Sequence, residues 1–408
     1  MNILLLNHYA GSRQHGMEYR PYYLAREWVR SGHNVTIAAA SYSHLRLCAP
    51  RLEGEATEER IDGIRFVWLK TPVYNQNGIR RAINILAFLR QVMRHRSLLA
   101  ADHKPELVIA SSTYPLDIVP AYQMARQLGS KLVFEVHDLW PLTLVELGGM
   151  SACHPFVLLL QWAENFAYRR ADHVVSILPG SWEHMHRHGM SPTKFVHIPN
   201  GLDIKEWENE RQPLTERHEL ELATLKNRDQ FLVGYAGSLG LANALDTLIQ
   251  AAEILKATRI RFVLVGRGPE AERLKRRTAE AGLQNVTFLP PVARASVPEL
   301  LDRMDVLYLG WKKKPIYRFG VAPNKLIDYM MAGKPVIHAV ETIHDAVSDS
   351  GCGTSISPED PEALADAILR IEKLPSSERE ALGAKGEAYV RTLHDYPLLA
   401  KRFLDAVA

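Results

Sequence analysis

The residue types with the clearest chemical potential lie in one short segment of the second half of the chain. The segment Gly320–Ile337 predicts a short helix that begins at Pro323 and is followed by a strand. Asn324 and Asp328 are four residues apart, so they share one face of that helix. The carboxylate of Asp328 can accept hydrogen bonds from a ribose diol, while the helix start and Lys325 can bind phosphate. Alternatively, Asn324 only caps the helix and Asp328 is solvated.

Two glycine-containing turns in the same half each follow a strand and precede a helix. The first contains Gly237 and Ser238, and the second contains Gly266 and Arg267. Such turns leave backbone N–H groups at a helix start where they can face an anion, and the repetition favours phosphate binding. Alternatively, glycine serves only the tight turn. Neither turn matches G-x-G-x-x-G and the chain has no G-K-[ST], so the dinucleotide and P-loop motifs are excluded.

Together these motifs resemble those of glycosyltransferase family 4. The resemblance rests on Gly320–Ile337, on the two glycine turns before it and on the segment Val136–Pro141, and it covers nearly the whole chain. It is closest to the bacterial surface-polysaccharide members. It implies a retaining enzyme of the GT-B fold, in which two Rossmann-like domains face each other across a cleft. It also implies that the C-terminal domain binds a nucleotide-sugar donor and that no metal or other cofactor is needed.

The resemblance also implies roles for individual residues. Asp328 would take the ribose-binding acidic position, and Asn324 and Lys325 would take the helix start that binds the diphosphate. Gly16 corresponds to a loop glycine that approaches the donor phosphate and the acceptor. The family often has a further glutamate eight residues before the acidic position, but that residue is Gly320 here. Its contact with the donor sugar is therefore absent or supplied elsewhere.

Positive charge near the diphosphate is a second departure from the family pattern. Many members have an arginine and a lysine after the first glycine turn, whereas residues 240–243 contain neither. A cation is needed where negative charge develops as the glycosidic bond breaks. The candidates follow a strand and precede the Asn324 helix: Lys312, Lys313, Lys314 and Arg318. Alternatively, each lysine belongs to a solvated basic loop.

A histidine and an aspartate in the first half are candidate catalytic residues. His137 and Asp138 lie just past the predicted strand Leu132–Val136, where parallel sheets present functional groups. Imidazole can hydrogen-bond sugar hydroxyls or phosphate, and a nearby carboxylate could orient it. Adjacent residues on a strand point in opposite directions, so a direct pair needs a turn, to which Pro141 is suited. The resemblance to the family is the main reason to expect a functional role for His137.

Both halves of the chain alternate short apolar strands with helical segments. In the first half the predicted strands are Ile3–Leu6, Val35–Ala39, Leu107–Ala110, Leu132–Val136 and Val174–Ile177. In the second half they are Phe231–Ala236, Ile260–Val265, Val286–Leu289, Val306–Leu309 and Pro335–His338. Strands that are apolar on both faces and separated by helices indicate parallel sheets covered on both sides. Each half is therefore predicted to be a doubly wound α/β unit.

The densely charged segment 205–229 separates the two halves and is predicted to be a linker. Residues 1–204 then form the N-terminal domain, which by the resemblance binds the acceptor, and residues 230–389 form the donor domain. A helix over about 390–408 is expected to pack back on the N-terminal domain. Open α/β sheets bind ligands beyond the carboxyl ends of their strands, so the site is expected in the cleft between the domains.

Composition sets the broad class of the protein. Its 408 residues suit two domains, and its 47% hydrophobic and 23% charged residues suit a soluble globular chain. A net charge of +3 provides no global field of the kind that gathers nucleic acid, so no nucleic-acid partner is expected. Cys48, Cys153 and Cys352 lie far apart, which argues against disulfides and a structural zinc site and fits a reducing, cytoplasmic setting.

One amphipathic helix, predicted over Ile79–Leu99, raises the question of membrane contact. Its apolar face consists of Ile85, Phe88, Leu89, Val92 and Met93, and its basic residues on the other side are Arg80, Arg90 and Arg94. Such a helix can lie on an anionic membrane, or its apolar face can pack on the domain core. The first arrangement suits an acceptor on a polyprenyl diphosphate carrier and would place the protein at the inner face of the cell membrane.

The expected function is transfer of a sugar from a nucleoside-diphosphate sugar, more specifically a UDP-sugar, to a lipid-linked saccharide with retention. No carboxylate nucleophile is obvious, which suggests front-face attack in which the leaving phosphate accepts the acceptor proton. One alternative is a nucleotide-sugar epimerase of the same fold, which needs no acceptor. Another is a non-catalytic nucleotide-binding scaffold of a polysaccharide assembly.

Overall fold

The computed structural model describes residues 1–16, 19–44, 46–74 and 78–408. These residues divide into two compact units. The first unit consists of residues 1–200 together with 396–408, and the second consists of residues 201–395. Each unit is built around one β-sheet, so the two predicted α/β units are present.

The first unit contains an eight-stranded sheet. Its strands are β1 (Asn2–Leu6), β2 (Asn34–Ala40), β3 (Ala56–Ile61), β4 (Ile64–Leu69), β5 (Leu107–Ala110), β6 (Lys131–Val136), β7 (His173–Ser176) and β8 (Phe195–His197). They lie in the order β3-β4-β2-β1-β5-β6-β7-β8, and all neighbours are parallel except β3 and β4. The strand order reverses at β1, which lies between β2 and β5, and residues that follow these central strands are therefore brought together.

The second unit contains a six-stranded, wholly parallel sheet. Its strands are β9 (Phe231–Ala236), β10 (Ile260–Val265), β11 (Val286–Leu289), β12 (Val306–Gly310), β13 (Val336–Ala339) and β14 (Gly353–Ile356). They lie in the order β11-β10-β9-β12-β13-β14. The order reverses between β9 and β12, so the loops after these two strands are neighbours. The first glycine turn and the basic loop follow these strands.

Helices connect most of the strands in both units. In chain order they are α1 (Tyr19–Arg30), α2 (Ile79–Arg94), α3 (Arg96–Leu99), α4 (Ile118–Leu128), α5 (Leu142–Glu146), α6 (Pro155–Arg170), α7 (Trp182–Arg187), α8 (Ile204–Asn209), α9 (Glu216–Lys226), α10 (Leu245–Ile254), α11 (Ala271–Glu280), α12 (Val297–Asp302), α13 (Asn324–Met331), α14 (Ala346–Ser350), α15 (Pro361–Glu372), α16 (Ser376–Leu393) and α17 (Tyr396–Val407). Within the part of the chain that the structure describes, no helix is both long enough and apolar enough to cross a membrane.

The end of the chain returns to the first unit. Helix α17 packs on α1, where the Trp28 indole N–H donates to the Ala400 carbonyl at 3.0 Å and the Trp28 and Phe403 rings lie 5.2 Å apart. The preceding helix α16 belongs to the second unit. The chain therefore changes unit at residue 396, a few residues later than the sequence analysis placed the returning helix.

The segment predicted as a linker is folded into the second unit. It forms α8 and α9, and Trp207 and Leu222 are buried among residues of that unit's sheet. Lys226 Nζ also binds Asp305 Oδ2 at 2.7 Å. Most of the charged residues that suggested a linker lie on these two helices, and the unit boundary lies between Asn200 and Gly201. The linker prediction is corrected accordingly.

The apolar face predicted for the helix at 79–99 packs on the core. Ile85, Phe88 and Val92 are buried in α2, and the remainder of that face is half-buried. A different stripe of α2 is exposed, made of Ile79, Ile83 and Leu86 with exposed fractions of 82%, 50% and 56%. The face named in the sequence analysis is therefore a core face, and the second stripe is the exposed apolar surface of α2.

Candidate functional site

A half-buried lysine lies beneath the first glycine turn of the second unit. Lys325, at the start of α13, donates from Nζ to Tyr235 Oη at 2.9 Å and to Asn243 Oδ1 at 2.8 Å. Nζ also lies 4.9 Å from the centre of the Tyr235 ring. Burial of the ammonium lowers the pKa of Lys325 to about 8. Lys325 therefore places a cation beside residues 240–243, which contain neither arginine nor lysine, and Asn243 holds it in place.

The backbone amides of the two glycines are already used by the fold. The Gly237 N–H donates to the Val265 carbonyl at 2.9 Å, and the Gly266 N–H donates to the Leu289 carbonyl at 3.1 Å. The prediction that these glycine amides face an anion is therefore corrected, because they extend the hydrogen bonding of the sheet. Ser238 is exposed, and its carbonyl accepts from the Tyr235 hydroxyl at 2.6 Å. The Gly237 and Leu239 amides on either side of it donate to the Val265 and Arg267 carbonyls, so the Ser238 amide is the candidate donor among these three.

The second glycine turn packs directly on the first. A Cβ added at Gly266 would lie 1.8 Å from the Gly237 carbonyl oxygen, and the φ of Gly266 is +151°. A Cβ added at Gly237 would lie 2.6 Å from Lys325 Cδ. Arg267, which follows Gly266, has an exposed side chain, and its carbonyl accepts from the Leu239 amide at 2.9 Å. Glycine is thus needed for the close approach of backbone to backbone and of backbone to Lys325.

We expect Gly266→Ala to lower the free energy of unfolding of the second unit by roughly 2–4 kcal/mol, since neither backbone can yield easily and the φ is strained for alanine. Urea denaturation measures the effect. Gly282→Ala is the matched control, because Gly282 also has a positive φ of +63° but a Cβ there would meet nothing within 4 Å. Equal losses in the two variants would contradict the close packing of the turns.

The carboxylate of Asp328 is paired rather than solvated. Arg294 NH2 donates to Asp328 Oδ1 at 2.7 Å, and Arg294 NH1 donates to Oδ2, so the pair is bidentate. The Asp328 side chain is 8% exposed and that of Arg294 is 54% exposed. Asn324 is exposed and makes no side-chain cap of α13. The alternative that Asn324 only caps the helix and Asp328 is solvated is therefore wrong. Arg294 is a neighbour of Asp328 that the sequence analysis did not identify.

The basic loop after β12 lies beside the first glycine turn. The Lys312 amide donates to the Ala242 carbonyl at 3.3 Å, and the Lys312 side chain is half-buried. Lys313 is exposed, and its Nζ lies 3.3 Å from Glu341 Oε2. The exposed Arg318 stacks on the Phe319 ring at 4.2 Å. The backbone thus brings Lys312 next to the turn, while Lys313 and Arg318 make contacts at the surface.

A buried chain of hydrogen bonds holds the residue before this loop. Trp311 Nε1 donates to His338 Nε2 at 3.1 Å, and His338 Nδ1 lies 2.7 Å from Asp345 Oδ1. Because an indole can only donate, His338 Nε2 accepts and its proton is on Nδ1, facing Asp345. Burial would raise the pKa of Asp345, but the contacts with His338 and Ser355 lower it to about 2. This chain orients Trp311, and sequence reasoning did not find it.

In the first unit, a buried glutamate organises the end of β6. Arg20 Nε donates to Glu135 Oε1 at 3.0 Å, and the Ser111 hydroxyl donates to Oε2 at 2.5 Å. His137 Nε2 lies 3.1 Å from the same Oε2. Burial alone would raise the pKa of Glu135, but Arg20 and His137 lower it to about 2. His137 is therefore oriented by Glu135, two residues earlier on the same strand face.

Two residues predicted at the first-unit site serve local turns. Asp138 Oδ1 accepts from the Leu139 amide at 2.9 Å and from the Thr143 hydroxyl at 2.6 Å, and burial raises the pKa of its carboxyl. Its predicted role as the partner of His137 is corrected, because Glu135 occupies that place. The buried Gly16 donates its N–H to the Ser12 carbonyl at 2.9 Å in a turn where its φ is +74°. That amide is engaged within its own loop.

Comparison with known proteins gives matches for both units. The family model described as glycosyl transferase 4-like domain matches residues 15–201, and the model described as glycosyl transferases group 1 matches residues 216–389. The chain is 25% identical over 278 residues to the probable glycosyltransferase WbjE of Pseudomonas aeruginosa, covering 66% of this chain and 67% of that protein.

Other similar proteins cover more of the chain. The putative colanic acid biosynthesis glycosyl transferase WcaI of Escherichia coli K12 is 23% identical over 363 residues, covering 86% of this chain and 87% of that protein. The structure of Anabaena HepE with UDP and glucose covers 99% of this chain and 98% of that one, at a TM-score of 0.68 and 17% identity. Since the two family matches together span most of the chain, it belongs to the glycosyltransferases, with a 4-like domain followed by a group 1 domain, and has the GT-B fold.

Proposed function

We propose that this glycosyltransferase moves a sugar from a UDP-sugar to a lipid-linked saccharide of a bacterial surface polysaccharide, with retention at the anomeric carbon. The observation that carries the proposal is the placement of Lys325, whose ammonium is held beneath the first glycine turn at the start of α13. A cation and a helix start at one place suit a diphosphate. HepE was solved with UDP and glucose, and WcaI is described as a colanic acid biosynthesis enzyme, which supports the donor and pathway class.

In this proposal the second unit binds the donor. Lys325 and the amides of Asn324 and Ser238 bind the diphosphate. Asp328 accepts hydrogen bonds from the ribose hydroxyls while it stays paired with Arg294, since each carboxylate oxygen has lone pairs left for a second donor. Further positive charge for the leaving group comes from the basic loop, through Lys312, Lys313 and Arg318.

The transfer step needs no enzyme nucleophile. An acceptor hydroxyl forms the new bond to the anomeric carbon on the face from which the UDP leaves, and its proton passes to the departing phosphate oxygen. His137 hydrogen-bonds a sugar hydroxyl or phosphate, and Glu135 holds its ring. Lysine side chains neutralise the charge, so the proposal expects no gain in transfer rate from added Mg²⁺ or Mn²⁺. A strict requirement for either ion would contradict this mechanism.

The ribose role of Asp328 can be tested with matched ligands. We expect Asp328→Ala to raise the KM for the UDP-sugar by roughly 10- to 100-fold, because a charged hydrogen-bond acceptor is lost. The wild type should bind UDP more tightly than 2′,3′-dideoxy-UDP, and the variant should bind the two alike. Arg294→Ala is the control and should retain the preference. If Asp328→Ala still prefers UDP, the carboxylate serves only the ion pair.

The overall function is tested by binding and then by product analysis. A panel of UDP-, GDP-, ADP- and TDP-sugars is compared by thermal shift, since a ligand that binds the native state raises its stability. The best donor is then incubated with and without a polyprenyl diphosphate-linked saccharide, and the anomeric configuration of the product is determined by NMR. Conversion of the UDP-sugar without acceptor would indicate an epimerase. Binding of UDP without hydrolysis or transfer would indicate a scaffold.

Membrane contact in this proposal uses exposed apolar residues of the first unit. The stripe of Ile79, Ile83 and Leu86 on α2 is one part, and α6 contributes a second set, Leu158, Leu159 and Trp162, with exposed fractions of 55%, 42% and 52%. The two helices share a small core cluster that includes Ile85 and Leu160. We expect Ile83→Ser to weaken sedimentation with anionic phospholipid vesicles. Ile254→Ser, an exposed isoleucine of the second unit, is the control.

A further inference from the structure

A cluster of polar side chains joins α6 to α7 in the first unit and shares no residue with the group formed by Arg20, Ser111, Glu135 and His137. Glu164 lies on α6, His184 lies on α7, and His188 follows four residues later at the end of that helix. One ligand atom from each of these three residues lies within 4.8 Å of the other two. Glu164 and His184 are buried, and His188 is half-buried, so the cluster has a side open to solvent.

The hydrogen bonding of this cluster is short of hydrogens. Gln161 Nε2 lies 2.6 Å from Glu164 Oε2, 2.8 Å from Asn165 Oδ1 and 3.0 Å from His188 Nδ1. His188 Nδ1 also lies 3.0 Å from Asn165 Oδ1. The amide of Gln161 supplies two hydrogens for its three contacts, and a neutral His188 ring with its hydrogen on Nε2 supplies none at Nδ1. In that tautomer His188 Nδ1 and Asn165 Oδ1 face each other as two acceptors 3.0 Å apart. An acceptor-rich arrangement of this kind suits a cation, which needs no hydrogens.

We propose that Glu164, His184 and His188 bind one Zn²⁺ ion that ties α6 to α7. Imidazole nitrogens and a carboxylate oxygen are ligands that zinc accepts, and two histidines four residues apart with a carboxylate from a facing helix form a compact set. The side-chain oxygen of Asn165 or a water completes the coordination. The cysteine spacing argued against structural zinc, but this set contains no cysteine.

Two side chains bond to one oxygen of the Glu164 carboxylate. His184 Nε2 lies 3.0 Å from Glu164 Oε1, and the Tyr168 hydroxyl donates to the same oxygen at 2.8 Å. That second contact fixes the carboxylate, as outer partners of metal ligands commonly do. The ion is structural and takes no part in sugar transfer.

The experiment uses the full chain, stripped with a chelator and titrated with ZnCl2 in a calorimeter. We expect one equivalent of Zn²⁺ to bind and the Tm of the first unit to rise by roughly 5–10 °C at a hundredfold excess of free Zn²⁺ over Kd. Co²⁺ in place of Zn²⁺ should give the visible absorption of a low-coordinate site. His188→Gln should not bind this equivalent of Zn²⁺ and should show no rise in Tm on addition of Zn²⁺. It should retain the sugar-transfer rate of the stripped wild type.

His186→Gln is the matched control for the titration. His186 lies between the two proposed ligands, but its Nδ1 is bonded to the Met190 carbonyl at 3.0 Å, so this variant should bind Zn²⁺ as the wild type does. Equal binding by His188→Gln and the wild type would show an adventitious ion elsewhere and overturn the proposal. Absence of binding to the wild type would show a metal-free hydrogen-bonded cluster and overturn it as well.

Discussion

We expect Glu135→Gln to lower the free energy of unfolding of the first unit by about 3–5 kcal/mol at pH 7. The substitution leaves the guanidinium of Arg20 without its countercharge in a place where the two side chains are 5% and 0% exposed. An uncompensated buried charge costs far more than the loss of a surface pair. Urea denaturation of the variant and the wild type measures the difference.

A surface pair in the same unit provides the control for this change. Glu183 and Arg187 are 3.3 Å apart with side chains 52% and 72% exposed, so Glu183→Gln should change stability by less than about 0.5 kcal/mol. The double variant Arg20→Met with Glu135→Leu removes both charges and should recover part of the loss. If Glu135→Gln lowers the free energy of unfolding by no more than Glu183→Gln does, the buried pair of Arg20 and Glu135 does not stabilise the first unit.

The pH dependence of the Glu135 effect has a definite sign. Arg20 and His137 overcome the effect of burial and lower the pKa of Glu135 from 4.5 to about 2. The native state therefore holds the carboxylate ionised where the unfolded chain takes up a proton, and this stabilisation is lost as the pH falls from about 4.5 to 2. The difference between the wild type and Glu135→Gln should shrink across that window. A constant difference would contradict the assignment.

Glu135 is a positioning residue in the proposed reaction, which gives it a second measurable effect. Glu135→Asp keeps the negative charge but withdraws the carboxylate by one methylene from His137 and Ser111. We expect this variant to recover more of the stability than of the kcat, because the charge pair tolerates a small displacement and the orientation of His137 does not. Equal recovery of both would indicate that Glu135 acts only through stability.

The elements of the fold that could be predicted are those with strong apolar runs. Each strand predicted in the first half is present, because a central strand that is buried on both faces is mostly apolar. The sequence analysis lacked β3, whose residues Ala56–Ile61 are mostly polar because it is the edge strand paired antiparallel with β4. It also lacked β8, which has only three residues. It lacked β4 as well, although Ile64–Leu69 is buried throughout and apolar except for Arg65, so one clear apolar run was not recognised.

The candidate site was predictable where local sequence places a group and not where distant elements meet. The start of α13 at Asn324 follows from Pro323, but the partners of Lys325 lie on β9 and after the first glycine turn. The pairing of Asp328 with Arg294 spans 34 positions and has no spacing signal. For Glu135 the sequence did contain a spacing signal. It is an acidic residue inside an otherwise apolar strand, and it lies two positions before His137, on the same face.

We expect Lys325→Met to lower kcat/KM for the UDP-sugar by roughly 100- to 1000-fold, since it removes the cation proposed to stabilise charge on the leaving diphosphate. Methionine has a similar length, so it can pass Gly237 as the lysine does. Burial already disfavours the charged lysine, which lowers its pKa to about 8, so the variant should not lose stability at pH 7. Steady-state kinetics should therefore show a fall in kcat/KM, while the Tm should not fall.

The pH profile identifies Lys325 as the group responsible. The pKa of about 8 lies below the usual 10.5, so the free enzyme loses the cation as the pH rises through 8. Wild-type kcat/KM, which reports the free enzyme, should fall about tenfold per pH unit above that value. Lys325→Arg keeps its charge and should abolish this fall. Lys334→Met is the control, because burial also lowers the pKa of Lys334, yet it lies beyond the other end of α13. If the fall in kcat/KM above pH 8 persists in Lys325→Arg but disappears in Lys334→Met, Lys325 is not the group that binds the diphosphate.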